Sequence, residues 1–353
     1  MENFVTEWIR SGVIFSSGSG QLLIGWGKRK WSKHPDSFYP SFYFPDYFLQ
    51  HENCWFEHEH YQEVSIAHLL EQLCLLSEID SSENDYCWKN PYRDFFNQAF
   101  KDLQKKIALG ELEKGVPYII ESAECPKDQV QLVKSLKAVL KYIQNNMAYL
   151  YGFWDQEEGM LGASPEVLFR YDGKGILETM ACAGTRNINE NSQALLSDAK
   201  ELYEHELVVR GITQSLSAYG KVTAGELHLL KLSQLMHLVT PLTVKLYAEL
   251  PYQKMVEVFH PTPAVGAFPK KEGRQWLEQY QQSINRARFG APVGYVHPKR
   301  KQSNCYVAIR NVQWDNNRMQ IAAGCGVVRE SRFEKEWAEI HLKLKAIKEM
   351  LAL

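Results

Sequence analysis

The C-terminal segment FEKEWAEIHLKLKAIKEM of the 353-residue chain carries ionisable side chains at a spacing that could do chemistry. Glu336, Glu339 and Lys343 lie at positions i, i+3 and i+7, which places two carboxylates and one ammonium on one face of a helix. Such a face can bind a hard cation, or it can be a salt-bridged surface in water. The spacing alone leaves both interpretations open.

A second group of carboxylates, Glu201 and Glu204, precedes His205 in another helical pattern. Glu204 and Val208 are one turn apart, so Glu204 can point inward from a partly apolar helix face. A buried carboxylate needs a partner, and a divalent cation shared with Glu339 would provide one. Because carboxylate ligands favour magnesium over zinc, the predicted cofactor is Mg²⁺.

Two features between residues 307 and 326 could bind an anion. The segment Gly324-Cys325-Gly326 ends an apolar strand pattern, and its glycines would let backbone N–H groups approach a ligand closely. Arg310 lies in the apolar run YVAIRNV, which we interpret as a strand. Its guanidinium must reach solvent or pair with a carboxylate, and a ligand could supply that carboxylate.

Composition argues against several classes of partner. The 40 basic and 42 acidic residues give a formal charge of -2, which leaves no positive excess for nucleic acid or an anionic membrane. The chain shows no apolar run of membrane-spanning length and no signal-peptide pattern. The seven cysteines are scattered without a C-x-x-C pair, which fits a reducing compartment. We therefore expect a cytoplasmic protein without nucleic-acid or membrane partners.

The elements that must position these residues come in uneven blocks. Apolar periodicity predicts helices at 91–112, 130–145, 192–217 and from about 331 onward. Alternating patterns predict successive strands over 149–185, with a turn at Asp172-Gly173, and a hairpin over 304–328. Blocks of strands and helices without strict alternation predict an α+β fold in which large antiparallel sheets are flanked by helices.

Residues 1–90 are rich in aromatic side chains and carry turn signals at intervals, which predicts short strands. This region also contains His51, His58 and His60. Their spacing does not match a known set of metal ligands, so we interpret them as surface or core histidines.

Residues 95–353 resemble the chorismate-utilising enzymes. The matching segments are GELEKGV from Gly110, GASPEVLFR from Gly162, AGTR from Ala183, YEHELVV from Tyr203, HLVTPL from His237, HPTPAVGAFP from His260, RFGAPVGY from Arg288, VAIR from Val307, AAGCGVV from Ala322 and EWAEIHLK from Glu336. Their number and order carry the resemblance. It implies a single chorismate-binding domain over 1–353, with a variable part at 1–90 and a catalytic core at 91–353, in a monomer.

A few positions distinguish the members of this family. Anthranilate synthases typically carry glutamine where this chain has Lys114, and aminodeoxychorismate synthases usually carry a nucleophilic lysine where it has Ala183. The pattern is similar to that of the isochorismate synthases. These enzymes add water at C2 of chorismate as the C4 hydroxyl leaves, and their product feeds menaquinone or siderophore biosynthesis. Salicylate synthases, which form salicylate and pyruvate, are the alternative.

The resemblance implies a role for each matched residue. Lys114 matches the base that activates water, and Glu166 matches the acid that protonates the departing hydroxyl. Glu204, Glu336 and Glu339 would bind Mg²⁺ beside the ring carboxylate of chorismate. The residues expected to bind the substrate are Thr185, Thr240, His260, Arg310, Gly324, Cys325, Gly326 and Lys343, with His237 lining or supporting the pocket. For His260, a purely structural role in a rigid turn is an open alternative.

The segment after Lys114 departs from the family pattern. Family members usually continue with a run such as K-V-V-L-A-R, whereas this chain reads KGVPYI. Pro117 removes a hydrogen-bond donor from the strand, which predicts an edge strand or a bulge. A shifted register there would move Lys114 out of the pocket, so its position is the most sensitive part of the prediction.

Overall fold

The computed structural model describes residues 4–76, 86–90, 92–124 and 129–353. Its helices are α1 (Phe4–Arg10), α2 (Ile66–Leu75), α3 (Arg93–Ala108), α4 (Gln129–Asn145), α5 (Ser192–Leu196), α6 (Ala199–Leu216), α7 (Tyr252–Phe259), α8 (Lys270–Ser283) and α9 (Phe333–Leu351). Among the described residues, none of these helices combines the length and apolar character needed to cross a membrane. Pro91 and Cys125 lie outside the described residues.

The strands follow the same chain order. They are β1 (Gly12–Gly18), β2 (Gln21–Ser32), β3 (Ser41–Tyr43), β4 (Trp55–Ser65), β5 (Lys114–Gly115), β6 (Tyr118–Glu124), β7 (Tyr149–Trp154), β8 (Gly159–Ser164), β9 (Val167–Tyr171), β10 (Ile176–Asn187), β11 (Gly220–Ala224), β12 (His228–Lys231), β13 (Leu235–Leu246), β14 (Ala267–Phe268), β15 (Pro292–His297), β16 (Gln302–Val307), β17 (Asn311–Trp314) and β18 (Arg318–Gly324). The predicted short strands of 1–90 correspond to β1 to β4.

Most strands join one large antiparallel sheet. Its order is β11-β13-β10-β9-β16-β15-β3-β4-β2-β1-β7-β8-β17-β18-β6, and β12 also pairs with β13. A separate two-stranded ladder joins β5 and β14. The prediction of an α+β fold with large antiparallel sheets and flanking helices is confirmed.

Both faces of the sheet are buried against different cores. Along β1, Ile14 packs into a core that includes residues of α1, α2, α3, α4, α8 and α9. The neighbouring Val13 and Phe15 point to the other face and pack into a core that includes residues of α6 and α7. Because side chains alternate along a strand, one strand serves both cores. The helices that will carry the site, α6 and α9, therefore approach the sheet from different cores.

The helix predicted over 192–217 is divided into α5 and α6. Asp198 separates them, since its carboxylate accepts the backbone N–H groups of Lys200 at 3.0 Å and Glu201 at 3.2 Å. A side chain that satisfies the free N–H groups of a first turn fixes the start of a helix. The cap also fixes Lys200 and Glu201, which begin the acidic segment of α6.

The hairpin predicted over 304–328 consists only of β17 and β18. β16 pairs instead with β9 and β15, while β17 pairs with β8 and β18. The chain changes neighbours at Arg310, which has a φ of 58°. Arg310 was predicted within a strand, but a left-handed residue cannot continue a strand ladder, so it lies in the break between two strands.

The segment around Pro117 forms an interrupted edge. β5 ends at Gly115 and β6 begins at Tyr118, and β6 lies at one end of the sheet. The prediction of an edge strand or bulge is confirmed. Upstream, the helix predicted over 91–112 ends at Ala108, two residues before Gly110, which has a φ of 74°.

Candidate active site

A pocket lies where the ends of several strands meet α6 and α9. Its walls include the β8–β9 connection, the last residues of β10 and β18, and the break between β16 and β17. Many of the residues predicted from the sequence line it, namely Glu166, Thr185, Glu204, His237, Arg310, Gly324, Gly326 and Lys343. The fold thus gathers segments that are more than 100 residues apart in the chain.

Glu166 occupies the two-residue connection between β8 and β9. Its backbone N–H donates to the Ser164 hydroxyl at 3.1 Å, and its carbonyl accepts the N–H of Val307 at 3.1 Å. The Thr262 hydroxyl donates to Glu166 Oε1 at 3.4 Å. These contacts hold the backbone from both sides and orient the carboxyl group at the pocket wall.

The surroundings of Glu166 favour its protonated form. Burial raises the pKa of Glu166 to about 8, although the Lys114 ammonium acts in the opposite direction. A carboxyl group with this pKa still carries its proton near neutral pH. It can therefore donate that proton to a group that leaves from a bound ligand.

Lys114 is fully buried rather than solvated. Its ammonium lies 3.1 Å from Glu204 Oε1, while the described residues offer Nζ no acceptor with hydrogen-bond geometry. The contact is an ion pair without a directed hydrogen bond. β5 is held in place because Lys114 is opposite Phe268 in the ladder, and Gly115 exchanges backbone hydrogen bonds with Val327. Pro117 therefore does not move Lys114 to the surface.

Gly326 allows the chain to pass close to this ion pair. A Cβ atom built at Gly326 would lie 2.6 Å from Lys114 Cε and 2.6 Å from Glu204 Cδ. Such distances are too short for nonbonded carbon atoms, so any side chain would displace one partner. Gly326 serves as a close approach between backbone and site.

Four carboxylates form what we call the carboxylate cluster: Glu201 and Glu204 on α6, and Glu336 and Glu339 on α9. The Lys200 ammonium lies among three of them, at 3.2 Å from Glu201 Oε1, 3.0 Å from Glu204 Oε2 and 3.1 Å from Glu336 Oε1. One cation thus joins the two helices.

The carboxylates of the cluster differ in charge. Burial, together with the neighbouring Glu204, raises the pKa of Glu201 to about 8, and burial raises the pKa of Glu336 to about 7. Burial alone would also raise the pKa of Glu204, but the ammonium groups of Lys114 and Lys200 outweigh it and lower that pKa to about 2. Glu201 and Glu336 therefore have less compensating positive charge around them than Glu204 has.

The donor set fits a hard divalent cation. Glu201 Oε2 and Glu336 Oε2 are buried and have no hydrogen-bond partner among the described residues. Among the described residues, no group of three His, Cys, Asp or Glu side chains is already arranged to hold a metal ion. The Lys200 ammonium lies between the carboxylates instead. Unpaired carboxylate oxygens in a buried site are suitable ligands for magnesium.

Lys343 connects the cluster to the pocket. Its ammonium lies 2.6 Å from Glu339 Oε1 and donates to the Gly324 carbonyl at 2.9 Å. Burial would lower the pKa of Lys343, but Glu339 outweighs burial and raises it. The ammonium therefore stays charged at the wall of the pocket, where it can bind an anion.

Arg310 belongs to a buried chain of polar groups. Its guanidinium donates to His237 Nε2 at 3.2 Å, and His237 Nδ1 lies 3.1 Å from the Thr185 hydroxyl. Burial and Arg310 hold the pKa of His237 well below its usual range, so the ring is neutral. A neutral ring that accepts at Nε2 carries its proton on Nδ1. The rest of the guanidinium is available to a carboxylate ligand.

Two residues predicted to bind substrate lie behind the pocket. Thr240 does not line it, because its hydroxyl lies 2.8 Å from His205 Nε2. His260 does not line it either, since its Nε2 lies 2.6 Å from the Tyr47 carbonyl. Both side chains support neighbouring elements, and for His260 the structural alternative describes the observed contact.

Cys325, which was predicted to bind the substrate, does not line the pocket either. Its side chain belongs to the hydrophobic core, and its backbone N–H donates to the Pro117 carbonyl at 3.3 Å. That N–H is therefore not free to bind an anion. The flanking Gly324 and Gly326 do line the pocket, so the glycine segment contributes through its neighbours.

Two residues of the site were not singled out by the sequence. Thr262 contacts Glu166 from the HPTPAVG segment, in which only His260 had been considered. Lys200 joins the cluster one turn before Glu204. The available signal was the i, i+4 spacing of Lys200 and Glu204, which places both on the same helix face.

Most of the chain matches one known protein family. Residues 50–352 match the family described as "Chorismate binding enzyme". The chain belongs to the chorismate-binding enzymes. The match confirms the resemblance found in the sequence motifs, and it begins at residue 50, within the part that we expected to be variable.

Individual relatives and a solved structure show the same likeness. The chain is 30% identical over 270 residues to the isochorismate synthase MenF of Bacillus subtilis, covering 70% of this chain and 56% of that protein. It is 33% identical over 201 residues to a salicylate biosynthesis isochorismate synthase of Pseudomonas aeruginosa, covering 54% and 42%. The chain thus spans about half the length of these relatives.

The fold is similar to that of MenF, the menaquinone-specific isochorismate synthase from Escherichia coli. The TM-score is 0.78 at 20% sequence identity, and the superposition covers 97% of this chain and 88% of that chain. At this identity the similarity establishes the fold alone. It agrees with the large antiparallel sheet and its flanking helices.

The close approach at Gly326 predicts the effect of a single methyl group. Gly326→Ala should lower the free energy of unfolding by about 1–3 kcal/mol, because the new Cβ overlaps Glu204, which Lys200 also holds, and Lys114, which the β5–β14 ladder holds. Gly18→Ala is the matched control, since a Cβ at Gly18 meets no atom within 4 Å. Urea unfolding of both variants measures the difference. Equal stability of the two variants would contradict the packing described here.

Proposed function

We propose that this chain is an isochorismate synthase that converts chorismate to isochorismate with Mg²⁺ as cofactor. The observation that carries the proposal is the buried carboxyl group of Glu166, whose pKa of about 8 suits a general acid. It faces a pocket whose other walls carry the cations Arg310 and Lys343. Ala183 lines the same pocket and offers no side-chain nucleophile, which supports water as the attacking group.

The pocket suits a dianionic ligand. Chorismate carries a ring carboxylate and an enolpyruvyl carboxylate, and each requires positive charge in a site that excludes water. We assign the enolpyruvyl carboxylate to Arg310 and the adjacent glycine segment. Lys343 would help to bind a carboxylate of the substrate, since one of its three N–H groups remains after the contacts with Glu339 and Gly324.

Glu204, Glu336 and Glu339 would hold Mg²⁺, with Glu201 as a fourth carboxylate beside them. The metal would neutralise the ring carboxylate of chorismate. The support is the chemistry of the donors, since the buried oxygens Glu201 Oε2 and Glu336 Oε2 lack partners in the described part of the chain. Hard oxygen ligands of this kind are typical of magnesium.

The proposed reaction divides acid and base between two residues. Lys114 accepts a proton from the water that forms the new C–O bond at C2, for which its amine must first be neutral. Glu166 gives its proton to the C4 oxygen as that C–O bond breaks, and the double bonds shift between the two carbons. Both side chains are buried, and the charge of Lys114 acts on Glu166, although Lys114 is not among the residues that line the pocket.

The first test is product analysis with purified protein. Chorismate and Mg²⁺ should yield isochorismate by chromatography, and excess chelator should abolish the reaction. Glu204→Ala and Glu339→Ala should each remove activity while the circular dichroism spectrum is unchanged. Salicylate and pyruvate formed without a second enzyme would support the salicylate synthase alternative instead. Full activity in chelator would contradict the role of the metal.

The product of this proposed reaction would feed menaquinone or siderophore biosynthesis. We further propose that the protein is a cytoplasmic monomer. Deletion of the gene, followed by measurement of menaquinone and of secreted iron chelators, would assign the pathway. Size-exclusion chromatography with light scattering would test the oligomeric state.

The role of Lys114 predicts a separation between turnover and binding. Lys114→Ala should lower kcat by about 10²- to 10⁴-fold, as expected for a lost general base, while chorismate affinity changes little. If Lys114 only positions Glu204, the substitution should instead weaken Mg²⁺ binding with a smaller change in kcat at saturating metal. Steady-state kinetics at several Mg²⁺ concentrations distinguish these results, and wild-type turnover would reject both roles.

The role of Glu166 predicts a pH profile. The acid form is present below its pKa, so kcat should fall as pH rises through about 8. Thr262 hydrogen-bonds to the carboxylate and lowers this pKa, so Thr262→Val should move the falling limb to higher pH. Glu166→Gln should remove most activity. A limb that does not move in Thr262→Val would assign the titration to another group.

A further inference from the structure

The Lys200 ammonium occupies the centre of the proposed metal site. It lies between 3.0 and 3.2 Å from one oxygen of each of three carboxylates, Glu201, Glu204 and Glu336. These oxygens come from two helices that are far apart in the chain. Three carboxylates converging on one point is also the arrangement that a hard cation requires. The Lys200 ammonium and a metal ion would therefore occupy the same position, so they exclude each other.

The ammonium compensates only part of the negative charge. It brings one positive charge and three donors, which satisfy one oxygen of each carboxylate. The second oxygens of Glu201 and Glu336 stay buried without partners among the described residues, and Glu336 is only 2% exposed. A divalent cation would supply more charge and could bind both oxygens of a carboxylate. The cluster is thus held together by Lys200 but is not saturated by it.

An exit for the Lys200 side chain lies beside the cluster. An open groove of about 700 Å³, which we call the outer groove, lies beside the cluster and is lined by Lys200 itself. Its other charged lining residues are Glu190, Asp198, Glu201, Glu330, Glu336, Glu339, Arg186, Arg332 and Lys335. The pocket that contains Glu166 reaches the cluster at Glu204, and Thr185 lines both cavities. Glu190 and Asp198 in this groove already pair with Arg186. A long flexible lysine can rotate into the outer groove, where water and the Glu330 carboxylate can receive its charge.

We propose that Lys200 is an internal cation that assembles the carboxylate cluster before metal binds and moves into the outer groove when Mg²⁺ takes its place. This inference rests on the metal site of the proposed function. Lys200 acts as a positioning residue, since it organises the ligands without touching substrate. Its removal has opposite effects on the free protein and on metal affinity, because the same ammonium stabilises the empty cluster and competes with the metal.

The first experiment measures Mg²⁺ affinity by titration calorimetry, without substrate. Lys200→Met keeps the length of the side chain and removes its charge. At about pH 8.5, where protons compete less for the carboxylates, this variant should bind Mg²⁺ about tenfold or more tightly than wild type. Without metal, its melting temperature should lie below that of wild type, and saturating Mg²⁺ should reduce the difference.

Lys335→Met is the matched control. Lys335 is exposed on α9 and lines the outer groove, yet it forms no ion pair with the cluster among the described residues. Its loss removes the same charge from the same region, so it reports the long-range electrostatic effect alone. We expect its Mg²⁺ affinity to lie within about twofold of wild type. An equal gain in both variants would overturn the proposal.

The second experiment uses the wild-type protein, so it does not depend on the folding of a variant. An amine-acylating reagent and peptide mass spectrometry measure the reactivity of each lysine with and without Mg²⁺. Saturating Mg²⁺ should increase the labelling of Lys200 several-fold, while the labelling of Lys335 stays constant. Unchanged or reduced labelling of Lys200 by bound Mg²⁺ would overturn the displacement.

The outcomes separate this inference from the proposed function. If wild type binds Mg²⁺ and Lys200→Met binds it equally or more weakly, the metal site stands and the role of Lys200 fails. If neither protein binds Mg²⁺, both the metal site and the inference fail. If only Lys200→Met binds, the ammonium excludes the metal from the wild-type protein, and the proposed displacement fails.

Discussion

The site depends on charge compensation among buried carboxylates and amines. Glu201, Glu204, Glu336 and Lys114 are buried, and the Lys200 side chain is only 15% exposed. Unpaired charges that are removed from water are costly. Two of these ion pairs join separate elements, since Lys114 on β5 contacts Glu204 on α6, and Lys200 on α6 contacts Glu336 on α9. The packing of α6 near α9 is therefore coupled to the charge state of the site. Any cation that enters must take over part of this compensation.

The fold supplies this group with rigid supports. The N-cap at Asp198 fixes the first turn of α6, directly before Lys200 and Glu201. The β5–β14 ladder holds Lys114, and the absence of a side chain at Gly326 leaves room for its contact with Glu204. Groups that are held by backbone hydrogen bonds lose little freedom when a ligand binds. The large sheet provides the remaining wall through the ends of its strands.

The sequence predicted those parts of the site that local spacing determines. The carboxylate face of α9 followed from the positions of Glu336 and Glu339, and the buried orientation of Glu204 followed from helical periodicity. The position of Arg310 could not follow from the sequence, because an apolar run gives no sign of a left-handed residue that ends one strand and begins another. Lys200 was missed for a related reason, since its partner Glu336 lies in a helix that only tertiary packing brings near.

Two carboxylates of the same site illustrate why residue type alone does not assign chemistry. Glu166 and Glu204 are both buried, yet burial raises the pKa of the first to about 8, and two ammonium groups lower that of the second to about 2. The first therefore holds a proton that it can donate, and the second holds a charge that a cation can bind. Lys114 contacts Glu204 and its charge acts on both carboxyl groups, so it contributes to the division of roles. A sequence in which Lys114 were neutralised would bring the two pKa values closer together and would weaken the distinction between acid and metal ligand.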